Sequence, residues 1–159
     1  MNAVGIDVSK GKSTVTIRQP GDKVVLAPRD YRHTQSSIND LITTIKCLEG
    51  ETKVCMEHTG RYYEPVASWL SAAGIFVSAV NPWLIKDFGN ESIRTPKTDK
   101  ADAKKIARFA LDRWAKLPQY SRMFGFGTDA EILSPEDVRK DAAAHTKAVL
   151  EMYQIKEKE

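Results

Sequence analysis

The spacing of apolar and polar positions changes period several times along the chain, and each change predicts an element. Ala3 to Ser9 (A-V-G-I-D-V-S) is an apolar, β-branched run that predicts a short buried strand, ended by K-G-K. Ser13 to Arg18 alternates with period two, with Val15 and Ile17 on one face, and predicts a second strand. After the turn Q-P-G-D, Lys23 to Ala27 predicts a third, so that three strands joined by tight turns form an antiparallel meander. The period then becomes helical. Thr34 can cap a helix to about Leu48, with Ile38, Leu41, Ile42 and Ile45 as its buried stripe and Gly50 beyond its end. Thr52 to Glu57 predicts a strand, Tyr62 to Ala73 a helix stopped by Gly74, and Ile75 to Val80 a fifth strand. Pro82 starts a short helix, and Thr98 caps one that runs to about Lys116.

The predicted order, βββ then α, β, α, β, α, belongs to the α/β class. A meander followed by two strand-helix crossovers makes one mixed five-stranded sheet, its first strand central and helices on both faces. Asp7 and Glu57 then lie toward the C-terminal ends of neighbouring parallel strands, where open α/β sheets hold their sites. Asp99 and Asp102, three apart on the last helix, share a face that can be laid over the same point.

Composition changes this picture little. The 159 residues, 42% hydrophobic and 28% charged, are ordinary for a globular domain. No run approaches the roughly 18 apolar residues of a membrane helix, and the N-terminus lacks the pattern of a signal peptide, so a cytoplasmic location is expected. Cys47 and Cys55 sit in apolar patterns without metal-type spacing and read as reduced and structural.

Charge is more informative in its distribution than in its net value of +3. From Ser92 to Lys116 eight basic residues face only Asp99, Asp102 and Asp112. Such a run is either a solvated helix face or a strip for a polyanion such as nucleic acid. Arg61, Arg94, Lys97, Lys100 and Lys104 are the residues expected to meet a nucleic-acid backbone.

Four carboxylates converging at one sheet edge repel each other unless a cation lies among them. Their hard oxygens suit Mg²⁺ or Mn²⁺, and a pair of such ions about 4 Å apart is a known means of cutting phosphodiesters. Each acid also has a purely structural reading. Asp7 can satisfy backbone groups, Glu57 can cap the next turn, and Asp99 is favoured by the helix dipole. Asp102 resists that reading, because Ala103, Ile106, Ala107, Ala110 and Trp114 set it at the edge of the inward face.

These residues also carry a resemblance. V-G-I-D-V-S (Val4 to Ser9), M-E-H-T-G-R-Y-Y (Met56 to Tyr63), V-N-P (Val80 to Pro82) and K-T-D-K-A-D-A (Lys97 to Ala103) followed by I-A-R-F-A resemble the N-terminal domain of the DEDD transposases. These are bacterial insertion-sequence recombinases that include the Piv DNA invertase. The resemblance covers Val4 to about Tyr120. It implies a ribonuclease-H-like fold of RuvC type, with Asp7, Glu57, Asp99 and Asp102 as a catalytic tetrad that coordinates two divalent ions. It further implies DNA as the partner, in the bacterial nucleoid, and for some relatives a structured guide RNA. The family continues into a second domain with a serine nucleophile, which nothing after Tyr120 resembles. The chain therefore reads as a truncated element or an excised domain, residues 1–120 forming the domain, or as that domain with a tail of different origin.

Residues 121–159 are expected to be a glycine-broken linker (S-R-M-F-G-F-G-T-D) and an amphipathic helix from S-P-E-D. Val138, Ala142, His145, Val149 and Met152 form its narrow seam, which must pack on the sheet or on a second copy, giving a homo-oligomer. Ser121 and Ser134 read as linker and helix cap, and neither is assigned as a nucleophile.

The remaining candidates divide between chemistry and packing. His58 can polarise a water or touch a phosphate, or be a surface turn residue. Tyr62 and Tyr63 can stack on a base, but adjacent helix positions cannot both face one ligand, so one is core. Trp69 and Trp114 read as core. Two functions compete: a metal-dependent recombinase domain that cleaves and transfers DNA strands, and a non-catalytic module that holds DNA or guide RNA and dimerises. G-I-D-V-S followed by two antiparallel strands also opens the actin-like kinases. The chain is too short for their two lobes, and it lacks a glycine-rich phosphate loop at the second strand turn.

Overall fold

A computed structural model describes residues 1–88, 98–121 and 147. Its sheet contains β1 (Asn2–Ser9), β2 (Lys12–Gln19), β3 (Lys23–Arg32), β4 (Thr52–Glu57) and β5 (Phe76–Val80), in the order β3-β2-β1-β4-β5. β1 pairs antiparallel with β2 and parallel with β4, and so is central as the sequence predicts. Helix α1 (Gln35–Lys46) and α2 (Tyr63–Ala72) follow β3 and β4; α3 (Pro82–Asp87) and α4 (Asp99–Asp112) follow β5.

The two faces of β1 sort the core into two layers. Val4 and Ile6 pack with Val15, Ile17, Leu41, Ile45, Val66 and Leu70, the layer of α1 and α2. Ala3 and Cys55 pack with Leu84, Ile85, Ile106, Phe109 and Ala110, the layer of α3 and α4. Helices therefore cover both faces, and an interior of this kind is what holds a small sheet together.

Gly5 sets how closely the second layer approaches. A Cβ built on it would lie 2.5 Å from Ala107 N and 2.8 Å from Ala107 Cβ, and closer still to the carbonyl of Ala103. The backbone of α4 thus rests directly on β1, an approach open only to glycine.

Several expectations need correction. β3 continues beyond Ala27 to Arg32. Leu26 pairs with Ile17 and Arg29 with Val15, so Ala27 and Pro28 together oppose Thr16 in a bulge. Pro28 is tolerated because β3 is an edge strand and the bulge removes the need for its missing N–H. The strand resumes to bury Tyr31 completely. α4 ends at Asp112, and a single 3₁₀ turn, Trp114–Lys116, completes the segment. Trp69, expected in the core, is 37% exposed. The buried face of α2 is Val66, Ala67 and Leu70, which leaves Trp69 on its flank. Trp114 is partly buried against the α3–α4 layer. Cys47 is exposed just after α1, whereas Cys55 is buried; both are free thiols. The predicted tail helix lies outside the described residues except for Lys147, as do Arg94 and Lys97. Among the described residues no helix is long and apolar enough to cross a membrane.

Candidate functional site

The register of β1 and β4 brings two of the predicted acids to the same edge. Gly5 pairs with Cys55 and Ile6 with Met56, so the next position in register sets Asp7 beside Glu57 on strands about 4.8 Å apart. Side chains alternate along a strand, so Asp7 follows Ala3 and Gly5 on the α4 face. Glu57 follows Cys55 on that face, and its charge adds to burial in pushing the Cys55 thiol pKa up. Beyond Glu57 the chain leaves the sheet: His58 N–H donates to the Val80 carbonyl at 2.9 Å, and Gly60 turns the backbone at φ 59°.

α4 reaches this edge with its N-terminus. Asp99 lies one turn before Ala103, which rests on β1, and the Thr98 hydroxyl caps the helix by accepting from Ala101 N–H at 3.2 Å. Asp99 and Asp102 occupy the first turn, where the helix dipole favours negative charge. Asp99 is exposed and Asp102 half-buried beside fully buried Ala103, as its edge-of-face position predicts.

All four acids thus belong to elements that meet at the C-terminal end of β1 and β4, on the α4 side. Their donor chemistry fits a hard dication. Their side chains do not close into one cage: among the described residues no three of His, Cys, Asp or Glu are grouped to hold a metal ion.

Asp99 is instead engaged by Lys12, which the sequence reading did not single out. Lys12 Nζ lies 3.3 Å from Asp99 Oδ2 and 2.9 Å from Asp30 Oδ2. Asp30 Oδ1 also accepts from the Thr14 hydroxyl at 2.7 Å. Thr14 pairs with Asp7, so Lys12 and Thr14 line the same face one strand away. Hydrogen bonds to Asp30 first, and Asp99 second, raise the pKa of Lys12, and Lys12 in turn lowers that of Asp30. The only sequence signal for this was the K-G-K turn after β1, which gives no hint of a partner ninety residues away.

The other candidates divide as follows. Arg61, Lys100 and Lys104 are exposed around this edge. Tyr62 is exposed, while Tyr63 is half-buried between His58 and an edge-on Tyr120, so one of the pair is core as expected. The side chain of Asn81 caps α3 by accepting from Trp83 N–H at 2.9 Å. Trp83 itself is 68% exposed, one residue past Pro82 at the end of β5.

Away from the edge, Asp22 joins the β2–β3 turn to α4. It has a left-handed φ of 62° and receives both Arg18 and Arg108, the latter at 2.6 and 3.1 Å. Arg108 first, and Arg18 second, hold its carboxyl well below the usual range.

Comparison with known proteins agrees with this architecture. The structure is similar to T. thermophilus RuvC in complex with a Holliday junction substrate, with a TM-score of 0.51 at 14% identity, over 72% of this chain and 95% of that one. Another structure of Thermus thermophilus RuvC aligns with a TM-score of 0.48 at 16% identity, over 72% and 96% of the two chains. The first likeness shows a RuvC-type, ribonuclease-H-like fold. No protein of curated function matches the sequence. The family model of the IS110-group DEDD transposases, described as a transposase, matches residues 4–123. With all four acids inside that span, the chain belongs to the DEDD transposases of the IS110 group.

Proposed function

We propose that this domain is the catalytic part of a DNA transposase, in which Asp7, Glu57, Asp99 and Asp102 hold Mg²⁺ or Mn²⁺ for phosphodiester cleavage and strand transfer. The observation that carries the reading is the parallel register of β1 and β4, which ends with Ile6 opposite Met56, one residue before Asp7 and Glu57, with α4 packed on Gly5 of β1. Held by these carboxylates, such ions would supply activation of the attacking oxygen and stabilisation of the leaving one. The chain's own residues supply the rest. The carboxylates provide acceptor-only oxygen donors when ionised. Arg61, Lys100 and Lys104 offer cations to a phosphate backbone, and Arg94 and Lys97 lie in the segment just before α4. Folding α4 onto β1 carries two of the four acids to the edge that holds the other two before substrate arrives.

DNA is the proposed partner, in the cytoplasm, with a structured guide RNA as the further partner that the family resemblance adds. The similar RuvC structure is a complex with a Holliday junction substrate, which supports DNA. The experiment is a nicking assay on supercoiled and branched DNA with Mg²⁺ or Mn²⁺. The wild-type chain is expected to nick, and Asp7→Asn and Asp102→Asn to abolish nicking while leaving DNA binding intact. One observation favours the second reading, a binding module without chemistry: no three acids are grouped among the described residues. Equal DNA binding by all three proteins, with no nicking by any, would establish that reading instead.

A further inference from the structure

Lys12 joins three elements at the edge of the site: its own strand β2, Asp30 of β3 and Asp99 of α4. Its two bonds are unequal. The Asp30 contact is shorter, 2.9 against 3.3 Å, and Asp30 is further held by Thr14. An ammonium and a divalent ion want the same thing of Asp99, a carboxylate oxygen, and both cannot have the same lone pairs at full strength.

Resting on the function proposed above, we propose that Lys12 is a positioning residue that holds Asp99 as a resident cation, competes with the incoming divalent ion for it, and retires to Asp30 when that ion binds. Asp30 makes the exchange inexpensive. Without it, releasing Asp99 would leave the ammonium unpaired beside an arriving dication, a like-charge contact. With it, only the longer of two exposed ion pairs is broken, and exposed pairs are individually weak.

The test measures Mn²⁺ affinity of the full chain by electron paramagnetic resonance in the absence of DNA, a readout separate from cleavage. Lys12→Met keeps the aliphatic stem and removes the charge. It is expected to tighten Mn²⁺ binding about fivefold, the scale of one exposed ion pair. Asp30→Asn removes the refuge and is expected to weaken binding by a similar factor. In the double variant there is no lysine for residue 30 to hold, so its affinity should match that of Lys12→Met alone. A purely structural Lys12 would lower the unfolding midpoint without this pattern. Unchanged or weaker binding in Lys12→Met, or tighter binding in Asp30→Asn, overturns the assignment of Lys12 while leaving the metal site standing. A wild-type chain that binds no Mn²⁺ overturns both.

Discussion

Replacing Gly5 with alanine tests whether α4 is held against β1 as closely as the site requires. The added Cβ would stand 2.5 Å from Ala107 N and 2.8 Å from Ala107 Cβ, with the Ala103 carbonyl nearer still, where ordinary contact is 3.4–4 Å. Two of these three neighbours are backbone atoms of a helix, so no rotamer change relieves the clash. α4 must retreat by about 1 Å to restore normal carbon contacts. Ile106, Phe109 and Ala110, buried on the same helix, would be pulled from Ala3 and Cys55. Overpacking of this kind costs about 3 kcal/mol, the upper end of the usual range. That is a large share of the roughly 5–15 kcal/mol that holds a domain together. With a urea slope of about 2 kcal/mol per molar, the unfolding midpoint should fall by about 1.5 M. Because Asp99 and Asp102 ride on the displaced helix and Asp7 lies two residues along β1, Mn²⁺ affinity of the folded variant should fall as well. A midpoint within about 0.3 M of wild type, at unchanged slope, would refute the close approach.

Contacts away from Gly5 lead to further expected outcomes. The Asp22 carboxyl, held low by Arg108 and Arg18, has a folded pKa below its ordinary 3.8. Its contribution to stability is therefore full above that value and lost as pH falls through the carboxylate range toward the folded pKa. Urea midpoints of wild type and Asp22→Asn should differ at pH 7 and converge as the pH drops below about 4; a constant gap contradicts this. Lys53, only 14% exposed, donates to the Trp114 carbonyl at 2.9 Å and lies 4.9 Å from the ring centres of both Phe76 and Trp114. Lys53→Met should destabilise the domain by about 1–2 kcal/mol in chemical denaturation and alter tryptophan emission. If Lys100 and Lys104 contact DNA phosphates, changing each to alanine should reduce the slope of log affinity against log salt by about 0.9 in a titration series; unchanged slopes would remove them from the interface.

Local chemistry made most of the fold legible. The short Thr52 to Glu57 stretch and the Thr98 cap gave β4 and the start of α4 at their observed positions, because short strands and capping are decided within a few residues. The failures have longer range. The predicted third strand stopped at Ala27, just short of Pro28, whereas β3 runs to Arg32. In the sheet, the bulge opposite Thr16 and the edge position accommodate the proline. Trp69 looked like core because it lies on an apolar helix face, and only the packing of α2 showed which side is buried.

For the candidate site, the four acids were picked out by their elements and motifs, and topology sets those elements at one edge. The Lys12 bridge was not legible, since an ion pair between residues 12 and 99 depends on how a helix end meets a strand end. Nor was the role of Gly5, whose value is the absence of a side chain beneath a helix nearly a hundred residues later.

The most direct measurement is a crystal structure of the chain soaked in Mn²⁺, read by anomalous scattering. Manganese is expected at the C-terminal edge of β1 and β4, with oxygens of Asp7, Glu57 and at least one of Asp99 and Asp102 at bonding distance. Manganese bound elsewhere, or density at that edge with Asp7 and Glu57 uninvolved, would contradict a carboxylate metal site built on this sheet edge.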